Sequence, residues 1–570
     1  MSFDTVLDAI TAGKAESRRG FTFQNLHGDE TRYSFAELEA ETARRAGALQ
    51  ALGLIKGDRL GMVIAEPEDF VLDFLAALRV GVIPVAVYPP HYLGGLDHYT
   101  RQVRLVFQSA GTRAAVVSPQ FANIFRTLMA SVTGLEMTIE TPALHGSTRE
   151  PEYPDINPDD LAFLQYTSGS TMAPRGVMVT HRCLVTNIHA FMGAGLEMDP
   201  ERDSGVCWLP LYHDMGLVGF VLGPLYWSVS VVFIPTLRFI KNASTWLDAI
   251  DAHRATVTFA PNFAFSLTTR RVRAAELQRW DLSCVKALGC GSEPIHPATL
   301  REFVRVFGES CGLNPNAVMP AYGLAECTLA VAMKRLGEPM RTRLVVQERF
   351  EAEGVASPVD DAATTRIAEH VSCGRALPGA EVAILDVNGC ALPDHVQGEV
   401  CVRGRSVADG YFGEGEAWSR VFHDGWLWTG DLGYLSNGEL FITGRSKDLI
   451  ILNGRNHHPQ IIEWMVGAVN GVREGNVVAF SRSGASGDEL VVVVEARTTD
   501  FRRLVADIED AVHNAVFTKP AEVLWLRPGS LPKTSSGKLK RHEIKQQYLR
   551  TGLQAERLRH YPEEGDPVLV

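Results

Sequence analysis

The sequence has no closely spaced cysteines. Its nine cysteines are scattered, and none belongs to a C-x-x-C pair, so neither a disulfide framework nor a zinc ribbon is indicated. The start of the chain, MSFDTVLDAITAGKAESRRG, contains no apolar core of the kind that a secretory leader carries. We therefore expect free, mostly buried thiols in a reducing cytoplasm.

Positive charge is scarce as well. The chain has 55 Lys and Arg against 67 Asp and Glu, a formal net charge of -12, so the basic footprint of nonspecific nucleic-acid binding is missing. An anionic ligand would have to be bound by a few locally placed cations. We expect no nucleic-acid partner.

An uncharged stretch from 215 to 235 is about as long as a bilayer span. Three glycines and a proline interrupt it, and its second half, 229–234, is typical of a short buried strand. The sequence therefore predicts no transmembrane segment.

The fold class follows from alternating patterns. Helical periodicity, as in 34–52, alternates with β-branched runs such as 114–117, which indicates βαβ units. We predict an α/β fold with a large N-terminal domain, 1–446, of mostly parallel sheets and a β-rich subdomain. A small, mobile α+β C-terminal domain, 447–570, follows. Periodicity fades over about 336–372, which we interpret as an insertion; an ordinary surface excursion is the alternative.

A turn rich in hydroxyls and glycines follows the apolar run 161–166, and it ends near Arg175. Backbone N–H groups and small hydroxyls at a strand end are good phosphate donors, and a guanidinium adds a planar fork. The segment favours nucleotide binding, although a solvated surface turn is the alternative and the Walker spacing is absent. The candidate phosphate ligands are Thr167, Ser168, Gly169, Ser170, Thr171 and Arg175.

Further motifs follow in the order found in adenylate-forming enzymes. They are LPLYHDMGL at 209–217, YGLAE at 322–326, WTGDLG at 428–433, GRSKDLI at 444–450 and PKTSSGK at 532–538. The chain resembles the superfamily of acyl-CoA synthetases, luciferases and peptide-synthetase adenylation domains. It is most similar to the fatty acyl-AMP ligases, which also have an insertion near 336–372.

The resemblance implies that ATP and a fatty acid form an acyl adenylate and pyrophosphate. The acyl group would then pass to the phosphopantetheine thiol of an acyl carrier protein or of a polyketide or peptide synthase carrier domain. Two anions must meet, and at 4 Å with an effective dielectric near 20 each pair of charges repels by about 4 kcal/mol. The resemblance implies that Mg²⁺ binds at Glu326 with Thr171, and that Lys538 bridges the carboxylate and the α-phosphate.

The same resemblance assigns the remaining site residues. His213 would lie near the reacting carboxylate with a positioning and electrostatic role, because a fatty acid is already ionised at neutral pH. Asp431 and Arg445 would hold the ribose hydroxyls. Tyr322 and Gly323 would lie against adenine, with Gly291, Ser292 and Glu293 on its other side. The plain alternatives are a structural ion pair, a core aromatic and a buried core histidine.

Two residues depart from the family pattern: Met172 replaces a usual glycine, and Arg175 replaces a usual lysine. We expect them to change ATP affinity rather than reaction type. The alternatives are a fatty acyl-CoA synthetase and a non-catalytic nucleotide-binding relative. In relatives, segments matching Tyr226, Trp227 and 261–265 line the acyl pocket. His457 and His458 are interpreted as structural, because no third ligand has matching spacing.

Overall fold

The computed structural model describes residues 3–90, 96–129, 131–167, 174–359, 366–452, 454–484, 487–498, 500–533, 538–553 and 556–560. The strands are β1 Gly20–Gln24, β2 Glu30–Ser34, β3 Arg59–Val63, β4 Ile83–Ala86, β5 Ala114–Val117, β6 Met137–Glu140, β7 Leu161–Thr167, β8 Arg175–Thr180, β9 Ser204–Cys207, β10 Ser230–Phe233, β11 Val257–Ala260, β12 Ala287–Cys290, β13 Val318–Gly323, β14 Ala330–Met333, β15 Thr342–Val346, β16 Ile367–Val371, β17 Arg375–Ala376, β18 Ala380–Leu385, β19 Gly398–Gly404, β20 Phe422–His423, β21 Trp426–Ser436, β22 Glu439–Arg445, β23 Ile450–Leu452, β24 Arg455–His457, β25 Val472–Gly484, β26 Gly487–Ala496, β27 Glu522–Leu526 and β28 Glu556–His560.

The helices are α1 Val6–Ala12, α2 Phe35–Ala51, α3 Pro67–Arg79, α4 Leu96–Ala110, α5 Ala122–Met129, α6 His181–Ile188, α7 Asp214–Gly216, α8 Gly223–Trp227, α9 Thr236–Lys241, α10 Ser244–His253, α11 Asn262–Arg271, α12 Pro297–Cys311, α13 Gln347–Glu353, α14 Gly415–Ser419, α15 Pro459–Gly467, α16 Phe501–Val516 and α17 Arg541–Thr551. Two π-helical turns, His189–Gly195 and Leu217–Leu222, continue α6 and α7.

The chain divides into two compact units. The first consists of Met1–Arg341, Val371–Val382 and Cys401–Trp428. It contains a nine-stranded sheet in the order β17-β14-β13-β12-β11-β9-β10-β1-β2 and a six-stranded sheet in the order β6-β5-β3-β4-β7-β8. In the larger sheet, every neighbouring pair along the order β13-β12-β11-β9-β10-β1 is parallel, whereas β1 and β2 pair antiparallel. The predicted α/β fold with mostly parallel sheets is confirmed.

The second unit consists of Thr342–His370, Ala383–Val400 and Thr429–Val570. One of its sheets has the order β25-β26-β27-β28, and α15 and α16 contribute buried side chains to one core cluster with β25 and β26. Most of the predicted insertion lies in this unit and folds as β15, α13 and β16. The boundary at Lys447, about which the C-terminal domain would rotate, stays a prediction.

The uncharged stretch 215–235 does not form one helix. It is divided among α7, a π-helical turn, α8 and β10, as its glycines and proline indicate. Within the described part of the chain, no helix is both long and apolar enough to cross a membrane.

Candidate functional site

Several predicted site residues lie at one edge of the large parallel sheet. His213 comes after β9, Gly291 directly follows β12, and Tyr322 and Gly323 end β13. β9 pairs in parallel with β11, β11 with β12, and β12 with β13. Their carboxyl ends therefore meet at the same edge, which is where open α/β sheets bind ligands.

The loop after β12 approaches β13 closely. A Cβ added at Gly291 would lie 2.9 Å from the carbonyl oxygen of Ala321, so only glycine fits there without a shift. Ser292 has φ +71°, a left-handed conformation that is strained for a side-chain-bearing residue. The Glu293 carboxylate accepts from the backbone N–H of Phe263 at 3.4 Å. This loop is held in one strained conformation beside Tyr322.

A cavity opens onto this loop. It comprises about 780 Å³ of space, open solvent included, and its walls are mainly apolar, which is the character of a small-molecule pocket. The π-helical turns contribute Phe191, Met192 and Phe220, while β11 contributes Phe259 and β14 contributes Met333. The same cavity is lined by Gly291, Ser292, Tyr322 and Gly323. Residues assigned to adenine therefore share one cavity with a wall that suits an alkyl chain.

The segments that line the acyl pocket in relatives make the following contacts in this structure. The Trp227 indole donates to the carbonyl of Met198, and the Tyr226 hydroxyl lies 2.8 Å from Nε2 of His189. Phe265 is fully buried against Trp246. Part of the cavity wall comes from the π-helical turns, whose hydrogen-bond pattern leaves no clear periodicity in the sequence.

The described part of the phosphate loop is closed as a hairpin. Thr167 pairs with Arg175 across β7 and β8. The predicted ligands Ser168, Gly169, Ser170 and Thr171, together with Met172, lie outside the described residues.

Glu326 and Arg175 are joined through a residue that we did not predict. The hydroxyl of Tyr411 donates to Oε1 of Glu326 at 2.8 Å, and the guanidinium of Arg175 lies 5.1 Å from the centre of the Tyr411 ring. Burial and the Glu326 carboxylate raise the pKa of Tyr411 above its ordinary value, so the hydroxyl stays a donor. Tyr411 reaches this place because its segment pairs with β8 at Val177.

His213 is half-buried rather than enclosed in the core. It precedes α7, and its ring lies 5.1 Å from that of Tyr212. Gln165 of β7 donates to the carbonyl of Tyr212 at 3.0 Å, which ties this segment to the strand that leads into the phosphate loop. A Cβ at Gly216 would meet the carbonyl oxygen of Pro210 at 2.4 Å, so the tight turn beside His213 requires glycine.

The second unit holds the other predicted site residues. Asp431 and Arg445 face each other across β21 and β22, and Nε of Arg445 donates to Asp431 at 3.0 Å. Asp431 is buried while the Arg445 side chain is about half exposed, at 56%.

Lys538 lies just before α17, in a segment closed by a bridge between Lys533 and Leu539. Arg541, three residues on, donates to both carboxylate oxygens of Glu463 and to Asp448. These carboxylates raise the pKa of Arg541 despite its burial. The start of α17 is thus fixed to the segment that contains Lys447.

His457 and His458 are both buried in the second unit. Nδ1 of His457 lies 3.1 Å from Glu351, and Nε2 of His458 accepts from the amide of Gln397 at 3.1 Å. Among the residues that the structure describes, no group of three His, Cys, Asp or Glu could hold a metal ion.

Comparison with known proteins then decides the family. The model of the AMP-binding enzymes matches residues 11–412. The chain belongs to the AMP-binding enzyme family. The resemblance to fatty acyl-AMP ligases is confirmed by relatives and by solved structures that span nearly the whole chain.

Three relatives of this AMP-binding enzyme illustrate the likeness. A protein of Caulobacter vibrioides, provisionally named an acyl-CoA synthetase, is 34% identical over 96% of each chain. A medium-chain-fatty-acid–[acyl-carrier-protein] ligase, JamA, of Moorena producens is 32% identical over 96% of this chain and 95% of its own. A solved structure from the fatty acyl-adenylate ligases of E. coli and L. pneumophila has a TM-score of 0.90 at 33% identity, covering 96% of this chain and 98% of that one.

Proposed function

We propose that this AMP-binding enzyme activates a fatty acid with ATP to an acyl adenylate, releases pyrophosphate, and passes the acyl group to the phosphopantetheine thiol of a carrier protein. One observation carries the proposal: Tyr322 and Gly291 line the same cavity as the apolar wall of Phe191, Phe220 and Phe259. A cavity of this kind suits a product in which adenine and an alkyl chain belong to one molecule.

The reaction needs cations rather than a general base. The carboxylate of a fatty acid is already ionised at neutral pH, so its approach to the α-phosphate is limited by charge repulsion. Arg175 on the phosphate-loop hairpin and Lys538 are the candidate cations, and His213 is the candidate positioning group. Cations fixed in place before the reaction stabilise charge at the reacting atoms without further reorganisation.

Mg²⁺ fits the donors present. Glu326 is a half-buried carboxylate with one oxygen held by Tyr411, and carboxylate oxygens are the hard ligands that Mg²⁺ takes. Glu326 would hold the ion together with Thr171. The ion would neutralise part of the negative charge of the phosphates.

The acceptor distinguishes two candidate functions. JamA is named for transfer to an acyl carrier protein, whereas the Caulobacter relative is named for coenzyme A. We propose the carrier protein, because the insertion at 336–372 and the ligase-like motifs match that branch. Mass spectrometry of products from ATP, Mg²⁺ and dodecanoic acid, with both acceptors offered in parallel, tests the choice. Abundant acyl-CoA would replace the proposal with the synthetase function.

Lys538→Ala tests the proposed chemistry. Removing a cation from the reacting centre should lower pyrophosphate release by about 100-fold or more, the usual cost of losing one such donor. Circular dichroism should show an unchanged fold. Lys533→Ala, in the same segment, is the matched control and should keep most activity. Unchanged adenylation in Lys538→Ala would contradict the assigned role, and no pyrophosphate from the unmodified protein with any acid would favour the non-catalytic alternative.

A further inference from the structure

The turn that carries Glu326 has an unusual backbone. Thr328 has φ +71° and ψ −56°, and the backbone N–H of Leu329 donates to the carbonyl oxygen of Cys327 at 2.9 Å. These features define a γ-turn of the rare, strained form. A β-branched residue very seldom adopts a positive φ, and such strain persists only where the surrounding structure holds it in place.

Hydrogen bonds to one neighbouring stretch of chain hold this turn. The Thr328 side chain is buried, and its hydroxyl donates to the carbonyl oxygen of Ser406 at 2.8 Å. The backbone N–H of Ala408 donates to the carbonyl oxygen of Glu326 at 2.8 Å, and the Tyr411 hydroxyl donates to Oε1 of the same residue. All three partners lie between Ser406 and Tyr411, a stretch that we call the anchor segment.

The other end of the turn is fixed beside the cavity, which Leu329 and Ala330 help to line. The backbone N–H of Leu324 donates to the carbonyl oxygen of Leu329 at 2.9 Å. The buried Asn187 side chain donates to the carbonyl oxygen of Ala330 at 2.8 Å and accepts from its backbone N–H at 3.0 Å. Because this end is fixed, the remaining freedom of the turn lies at Glu326, where the anchor segment holds it.

The anchor segment is itself tied to the phosphate-loop hairpin. The backbone N–H of Met178, on β8, donates to the carbonyl oxygen of Gly410 at 2.9 Å, and the backbone N–H of Phe412 donates to the carbonyl oxygen of Gly176 at 2.8 Å. β8 begins at Arg175, the candidate phosphate cation. The turn, the anchor segment and the hairpin together therefore fix the candidate metal ligand relative to the candidate phosphate site.

We propose that Thr328 is a positioning residue for the Mg²⁺-dependent binding of ATP: its hydrogen bond to Ser406 holds the strained turn and thereby keeps the Glu326 carboxylate in place relative to the phosphate-loop hairpin. The inference rests on the proposed function, in which Glu326 binds Mg²⁺. A metal ligand that is held in place beforehand needs little reordering when the ion binds. Loss of the Thr328 hydrogen bond should therefore weaken the binding of the metal and leave the metal-free contacts of the nucleotide unchanged.

The test measures how much Mg²⁺ strengthens ATP binding. Equilibrium dialysis without a fatty acid gives the dissociation constant of ATP once with EDTA and once with excess Mg²⁺. The ratio of the first constant to the second measures the coupling between metal and nucleotide, and we call it the Mg²⁺ ratio. Thr328→Val removes the hydroxyl and keeps the β-branched shape. In this variant we expect the Mg²⁺ ratio to fall about tenfold, while the metal-free dissociation constant stays unchanged.

Companion variants separate the hydroxyl from packing and strain. Thr328→Ser keeps the hydroxyl and should keep the Mg²⁺ ratio of the unmodified enzyme. Thr328→Gly lacks the hydroxyl but adopts a positive φ without strain, so it folds readily, and its Mg²⁺ ratio should fall as in Thr328→Val. The matched control is Thr245→Val, on α10, because the buried Thr245 hydroxyl also donates to a backbone carbonyl, that of Asn242, at 2.8 Å. The control should lose comparable stability in urea and keep the Mg²⁺ ratio.

Each outcome decides the role of Thr328. An unchanged Mg²⁺ ratio in both Thr328→Val and Thr328→Gly, or an equal fall in Thr245→Val, would overturn the proposal. A fall in Thr328→Ser, or a fall in Thr328→Val without one in Thr328→Gly, would assign the effect to packing and overturn the role of the hydroxyl. The proposal also fails if Mg²⁺ does not strengthen ATP binding by the unmodified enzyme. Absence of pyrophosphate from the unmodified enzyme with every acid would contradict the proposed function itself, and the Mg²⁺ ratios would still decide the role of Thr328.

Discussion

At the scale of single residues, Tyr411 contacts two candidate site residues, although the sequence assigns it no role. Its hydroxyl is bound to Glu326, and its ring lies beneath the guanidinium of Arg175. One side chain therefore orients both the candidate Mg²⁺ ligand and the candidate phosphate cation. Mutating a residue that orients a metal-binding side chain commonly lowers metal affinity or activity substantially.

Tyr411→Phe should weaken Mg²⁺ use while keeping the ring under Arg175. Loss of an orienting hydrogen bond typically costs about 10- to 100-fold in metal affinity, so the Mg²⁺ concentration for half-maximal pyrophosphate release should rise by about tenfold. Turnover at saturating Mg²⁺ should change little. Tyr33→Phe removes another tyrosine–glutamate hydrogen bond, to Glu68, and should leave the Mg²⁺ titration unchanged. Equal titrations for Tyr411→Phe and the unmodified enzyme would remove Tyr411 from the site.

The residue scale also shows what sequence reasoning can reach. Tyr322, Gly291 and Asp431 stand in recognisable motifs, and their neighbours in space can be predicted from strand order. Tyr411 lies 85 residues after Glu326 in a segment without a chemical signature. Its contact depends on irregular pairing with β8, which no local pattern indicates.

At the scale of elements, the insertion is fixed by a buried ionic cluster within the second unit. Arg366, just before β16, donates to both oxygens of Glu351 on α13, at 2.9 and 2.8 Å, and to the carbonyl of Ala515 on α16. Burial alone would raise the pKa of Glu351, but hydrogen bonds from His457 and Arg366 bring it below its usual value. The carboxylate stays ionised and joins three elements.

Arg366→Met should therefore destabilise the second unit strongly. Removing one partner of a buried pair leaves an uncompensated charge and costs about 3–5 kcal/mol, which urea unfolding would measure. Arg349→Met, on α13, breaks an exposed pair with Glu353 and should cost at most about 1 kcal/mol. An equal loss of unfolding free energy in the two variants would show that the buried ion pair stabilises the unit no more than an exposed one.

The same polar residues limit what the sequence predicts about this insertion. The stretch around Arg366 and Glu351 is charged, so its sequence predicts a solvent-exposed segment. In the structure both side chains are buried. The cavity wall shows a second limit, because Phe191 and Phe220 lie on π-helical turns that do not follow the 3.6-residue period.

At the scale of the whole molecule, three buried histidines make the fold sensitive to acid. Burial lowers the pKa of His181 to about 4, of His370 to about 3 and of His458 to about 4. His458 also accepts a hydrogen bond from Gln397, which the protonated ring could not do. All three are neutral in the folded state at pH 7.

Because these folded-state pKa values lie below the unfolded value near 6.5, the unfolded chain binds more protons between pH 6.5 and about 4, and stability falls as the pH is lowered through that window. Each such histidine contributes about 1.4 kcal/mol per pH unit to the slope. His458→Gln keeps a side-chain acceptor for Gln397 and cannot be protonated, so the free energy of urea unfolding should depend less steeply on pH by that amount. His27→Gln, at an exposed position, should keep the full slope. Equal slopes for His458→Gln and the unmodified protein would mean that His458 does not report the acid transition, and that the loss of stability comes from other groups.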